Sequence, residues 1–113
     1  MKIDYLMASD GSLDFYDDSL RSTLEALILT YRASQGTTVI PIPPNMGVIY
    51  NADLFGLLLS MNVKPCYHWF VMRLNNFFSP MEFNVSVSAL MMPNFSDLES
   101  ARITWKASQG IKT

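Results

Sequence analysis

His68 and Cys66, the only histidine and only cysteine of this 113-residue chain, are its best-suited residues for nucleophilic chemistry. A Cys–His pair works when the imidazole takes the thiol proton, which needs the two side chains within hydrogen-bond reach. Two positions apart on a helix, they point to nearly opposite sides. The expected arrangement is a core cysteine and a surface or boundary histidine, since free cysteine packs as a small apolar side chain. Carboxylates are the next candidates. Asp10, Gly11, Ser12, Leu13 and Asp14 outline a cation-site loop, but without the ordered oxygens and closing bidentate glutamate of a calcium loop. Turn and cap duty is expected of them. Nothing places Glu25 and Glu82 across a cleft as a glycosidase pair would be. The glycines at 11, 36, 47, 56 and 110 are isolated, so no phosphate-cradling loop is present. No catalytic residue, cofactor or metal is expected.

Composition directs attention to the surface. Half of the residues are apolar and 16% are charged, against a usual charged share of about 25%. A single domain, 1–113, has limited interior for that much apolar side chain, so part of it is expected to face partner subunits. The net charge is −2, with an acidic excess between Met1 and Glu25. Lysine and arginine cluster on no face, which excludes the usual nucleic-acid binders. No apolar run approaches the roughly 20 residues of a membrane span. The opening residues carry neither the basic nor the apolar stretch of a signal peptide, so synthesis in the cytosol is expected.

The elements that must position any site follow from periodicity. Ile3, Tyr5 and Met7, then Leu13 and Phe15, alternate around Asp10-Gly11, which predicts an N-terminal hairpin. Asp17, Asp18 or Ser19 can cap a helix whose apolar stripe is Leu20, Leu24, Leu27, Ile28 and Tyr31. The stretch GTTVIPIPPNMGVIYN, residues 36–51, begins like a strand but contains Pro41, Pro43 and Pro44, which a central strand excludes. It reads as an extended crossing with a turn at residues 45–47. Asn51 is expected to cap a second helix over 54–61, which is apolar nearly all round. A third helix should start near Pro65, present Cys66, Trp69, Phe70, Leu74, Phe77 and Phe78, and stop at Pro80. FNVSVSALM (83–91) and ARITWKA (101–107) alternate cleanly and predict an antiparallel pair. The expected fold is α+β: a small antiparallel sheet, hairpin plus C-terminal strand pair, packed with two to three helices. Met91 and Met92 suit either gap-filling or an adaptable contact. Trp105 suits either a core or an interface anchor. The tetrapeptide Ala-Ser-Gln-Gly occurs at 33–36 and 107–110 and reads as shared turn chemistry.

The order of these stretches resembles the small baseplate wedge proteins of contractile phage tails and related injection machines, once labelled lysozyme-like. The chain shares an acidic-apolar start with a Gly turn, ASDGSLDFYDDS, and then an amphipathic helix, LRSTLEALILTY. GTTVIPIPPNMGV keeps the family's spacing from Gly36 to Gly47 and its Val39. Thr37 and Thr38 replace Glu and Arg, and Asn45 replaces the first Gly of the closing turn. Leu54-Phe55, Phe78 and Pro80 match in turn, followed by FNVSVSAL and ARITWKAS. Ser79 and Met81 stand where the family has Glu and Arg, so they offer only weaker or apolar contacts there.

The resemblance implies a structural, non-enzymatic subunit of a virion tail baseplate, assembled in the host cytoplasm. It implies several copies in a symmetric assembly, joined to other wedge proteins and offering strands to the tail sheath. No nucleic acid or membrane partner is implied. The expected partner-binding residues are Val39, Ile40, Pro43, Pro44 and Gly47, then Phe78, Ser79, Pro80 and Met81, with Ile103 and Trp105 on the last strand. Two other readings stand beside it. One is an anti-adaptor-like regulator of the same fold; the other is a small hydrolase or ligand-binding domain with a polar pocket around His68 or Glu82.

Overall fold

The computed structural model describes residues 12–111. Residues 2–7 of the expected hairpin lie outside that range. Leu13 and Phe15 sit on a 3-10 turn, Ser12–Tyr16, rather than a strand. The Asp17 amide donates to the Asp14 carbonyl, which closes the chain there instead of extending it. Asp17 then caps α1 (Asp18–Ala26), its carboxylate accepting from the Ser19 amide at 2.8 Å. The helix expected through Tyr31 breaks at Leu27 and restarts as α2 (Ile28–Ala33). Leu20, Leu24 and Ile28 form the buried stripe.

β1 (Thr38–Pro41) leads into α3 (Pro44–Ile49), which occupies the place of the expected turn. Pro44 sits in its first turn, where the missing amide costs nothing and the fixed φ suits a helix. α4 (Leu54–Ser60) is capped by Asp53 and not by Asn51. The Asp53 carboxylate accepts from the Gly56 amide at 3.0 Å. A Cβ at Gly56 would collide with the other Asp53 carboxylate oxygen, so glycine is what lets this cap close. α5 (Pro65–Leu74) starts at its proline as expected. It ends four residues before Phe78, and Pro80 opens a 3-10 turn, Pro80–Glu82, instead of closing the helix.

The C-terminal strand pair is the main correction. Of FNVSVSALM only its end forms a strand, β2 (Ala89–Met92). Asn84 folds the rest into a turn: its side-chain oxygen accepts from the Ser86 amide, and its carbonyl accepts from Val87. Such local side-chain bonds compete successfully with an exposed ladder. ARITWKA belongs to a helix, α6 (Phe95–Ile111). The period there is helical once it is counted from Phe95, Leu98 and Ala101 to Trp105. Asn94 supports its start by accepting from the Ser96 amide.

The fold is therefore α+β, as expected, but with six α-helices among the described residues in place of two to three, and with a two-stranded antiparallel sheet whose strands are β1 and β2. Thr38 faces Met92 and Pro41 faces Ala89. Leu20, Leu24, Leu54, Leu57, Leu58, Phe70, Val71, Leu74, Phe83, Leu90 and Leu98 make the fully buried centre.

Polar contacts tie the helices at their ends. Arg32 donates to the Leu74 and Arg73 carbonyls at 2.7 and 3.1 Å, satisfying the C-terminus of α5. Arg102 joins Asp14 and Glu99, each at 3.0 Å, and the Tyr67 hydroxyl donates to Glu99 at 2.8 Å. Burial, then the Glu99 contact, push the Tyr67 hydroxyl well above its ordinary range.

Arg73 grips Glu25 with two bonds of 2.9 Å. Those bonds, more than simple charge attraction, hold the Glu25 carboxyl below its ordinary range. A carboxyl with a lowered folded pKa contributes stability above its unfolded pKa, and this is lost as pH falls through the folded one. Glu25→Gln should therefore be less stable than the parent at neutral pH and equal to it at acid pH. The Glu25 side chain is 41% exposed, so the neutral-pH difference should stay under about 1 kcal/mol. Urea unfolding at several pH values measures it.

Candidate protein-docking surface

The two residues best suited to nucleophilic chemistry are used by the fold. Cys66 is buried, as expected. His68 is buried too, a correction to its expected boundary position. Its Nε2 bonds the Val63 carbonyl at 2.8 Å, and its ring lies 5.4 Å from that of Phe55. Helix α5 is covered on both sides, which the residue types on its polar stripe did not indicate. Glu82 reaches back to the Phe78 and Ser79 amides at 2.6 and 2.7 Å. Neither His68 nor Glu82 lines any of three open hollows of about 460 to 560 Å³ on the surface. Among the described residues, no three His, Cys, Asp or Glu side chains gather as metal ligands, and no helix is long and apolar enough to cross a membrane.

The proline-rich stretch has a specific geometry. The Ile42 amide donates to the Ser88 carbonyl at 2.8 Å, carrying the ladder one step past Pro41. Bonded and non-bonded pairs alternate between antiparallel strands. Residues 38, 40 and 42 therefore turn their backbone groups toward β2, while 39 and 41 turn theirs outward. Pro41, and Pro43 after it, fall on the outward phase, where a missing amide leaves the ladder intact. Val39 is left as the one outward donor of β1.

The opposite edge is covered. Asn75, at the end of α5, accepts from the Met91 amide at 2.6 Å and donates to the Met91 carbonyl at 3.0 Å. One side-chain amide thus takes the place of a neighbouring strand. Both edges are blunted against unplanned pairing.

The expected partner-binding residues do not form one surface. Val39, Pro43 and Pro44 are exposed, and Ile40 is half-buried on the core side of the sheet. Gly47 is buried: a Cβ there would stand 2.8 Å from the Val85 Cα, so its role is close packing and not partner contact. Ile103 is exposed on α6, and Trp105 on the same helix donates its ring N–H to the Ser19 hydroxyl at 3.1 Å. Neither lies on a strand. Trp105 serves to join α6 to α1.

Phe78, Ser79, Pro80 and Met81 do stand together, on a turn held from both sides. Ser79 and Glu82 form a reciprocal capping box. Arg73 donates to the Phe77 carbonyl at 2.9 Å and lies 4.4 Å from the Phe78 ring centre. Above this support Phe78 and Met81 are 74% and 73% exposed.

A second apolar area escaped sequence reasoning. Val48 and Ile49 on α3 are 67% and 64% exposed, and Val85, against Gly47, is 56% exposed. The signal was the phase of α3, which became readable only with Pro44 taken as a helix start. Compared with family models, with curated proteins and with solved structures, the chain matches none.

Proposed function

We propose that the chain is a non-enzymatic structural subunit that docks onto other proteins, and that its setting is the baseplate of a contractile tail, beside wedge and sheath proteins. The observation that carries the docking reading is the Phe78–Met81 turn. Two large apolar side chains stand in water on a backbone fixed by Glu82 and Arg73. Fixing an anchor before binding removes much of the ordering cost of association. Aromatic anchors of this kind carry a large share of interface energy.

The support for the tail setting is the order of motifs up to Phe78 and Pro80. Helix α6 stands where that order has a strand. The blunted edges favour docking through side chains over strand sharing, for which Val39 supplies the one complete outward backbone pair. Co-expression with the wedge and sheath proteins of the same tail tests the proposal. The parent chain should co-purify with at least one of them. The double variant Phe78→Ala, Met81→Ala should lose that complex by a factor of 10 or more, on the order of 1.4 kcal/mol or above, with an unchanged melting temperature. A chain that joins none of these proteins, or a double variant that binds as well as the parent, overturns it.

A further inference from the structure

The two longest stretches without a charged residue are neighbours in the fold. None occurs in residues 33–52, and none in residues 83–96. The structure lays these two segments side by side along their length. Thr38 faces Met92, Ile42 bonds Ser88, Gly47 packs on Val85, and the Ala52 amide donates to the Phe83 carbonyl. The product is an uncharged face built from α3 and the turn at 84–87, whereas the outer side of the sheet is shared with Arg32, which lines a hollow with Val39, Ala89 and Met91. Asp53 and Glu82 follow at its border, each already occupied as a helix or turn cap.

Exposed protein surface normally carries charge at about a quarter to a third of its positions. Depletion of charge is instead the mark of an interface centre, with polar groups at its rim. Val48, Ile49 and Val85 give this face its apolar part. Asn45 shares the exposed stripe of α3 with Val48 and Ile49, being three and four positions before them. Asn51 and Ser88 are exposed beside it.

We infer that this face joins two copies of the chain about a twofold axis. In such a contact each patch meets its own image. A face carrying one sign of charge opposes itself there, whereas an uncharged one does not. Its polar side chains are self-matching as well: an Asn amide or Ser hydroxyl both donates and accepts, so identical residues can bond across the axis. Lysine or aspartate could not. The prolines of β1 keep the contact one of side chains and prevent it from running on as a continuous sheet. This self-association is a property of the chain alone and does not rest on the tail setting.

Sedimentation of the full chain over a wide concentration range tests it. A monomer–dimer equilibrium is expected, with a dissociation constant that changes less than about threefold between low and high salt, since few charges are involved. Val48→Asp and, separately, Ile49→Lys should each weaken the dimer at least 100-fold, while circular dichroism stays as in the parent and melting equals the parent's at concentrations where both are monomeric. Two substitutions of opposite charge separate loss of the apolar contact from a chance repulsion. The Phe78→Ala, Met81→Ala variant should dimerise normally, which separates this surface from the docking turn. A parent chain that is monomeric throughout, a dimer that dissolves with salt, or variants that dimerise unchanged would overturn the inference.

Discussion

Leu98→Ala should destabilise the protein by about 2–5 kcal/mol, the usual cost of emptying a buried leucine site, while Ile103→Asp should change it by less than about 0.5 kcal/mol. The two residues exchange roles between the sequence pattern and the structure. Alternation puts Ile103 on the buried face of a strand and leaves Leu98 in the loop that joins the two expected strands. In the structure both lie on α6, where Leu98 is fully buried and Ile103 is 58% exposed. They stand five positions apart, well short of a second full turn at roughly 3.6 residues per turn. They therefore face nearly opposite ways. Equilibrium urea unfolding of both variants decides between the two arrangements. A costly Ile103→Asp with a harmless Leu98→Ala would mean that the C-terminal segment is a strand after all. Total stabilities of about 5–15 kcal/mol make the Leu98 effect large enough to lower the folded population visibly.

The residues that misled are instructive because each had a local partner that periodicity does not count. In FNVSVSALM the alternation of Val85 and Val87 with serines is real, but Asn84 collects the Ser86 and Val87 amides before any strand can use them. In ARITWKA the alternating window is short enough to fit a helix equally well once Phe95 and Leu98 are added. The helices that were legible had a cap and a stripe together: Asp17 with Leu20 and Leu24, or Pro65 with Cys66 and Phe70. The α+β class was legible too, though the partner of β2 was not. That partner is the proline-bearing strand, because prolines on the outward phase do not interrupt a ladder on the other side.

The candidate surfaces divide in the same way. Phe78 and Met81 were singled out as residues, yet their support could not be seen, since Glu25, Arg73 and Glu82 come from three separate stretches. The face around Val48 and Val85 required the meeting of two segments far apart in the chain, one ending at Ala52 and the other starting at Phe83. What sequence did carry was its lack of charge, a feature that gains meaning only when the two uncharged stretches are known to be neighbours.

Phe83→Ala is the second change expected to have a large effect, about 3–5 kcal/mol. Residues 77–88 form an irregular connection whose only regular part is one 3-10 turn. Along that connection Phe83 alone is fully buried, and both apolar surfaces hang from it. The Phe78–Met81 turn precedes it directly, and Val85 follows two residues later. Its carbonyl also accepts from Ala52, a residue held at a φ of 60°. That conformation is unfavourable for a side chain bearing a Cβ, so the surrounding contacts must maintain it. Removing the ring empties the core site and loosens this attachment at once. Val85→Ser is the control: it alters the same connection at an exposed position and, measured where the chain is monomeric, should cost less than about 0.5 kcal/mol. Hydrogen exchange adds a local readout. In Phe83→Ala the amides of Phe78, Ser79 and Ala52 should lose protection beyond what the global destabilisation explains, because their acceptors are fixed through this residue. If Phe83→Ala were as stable as Val85→Ser, the connection would not be anchored in the core, and the rigidity that makes the Phe78–Met81 turn a ready anchor would lose its physical basis.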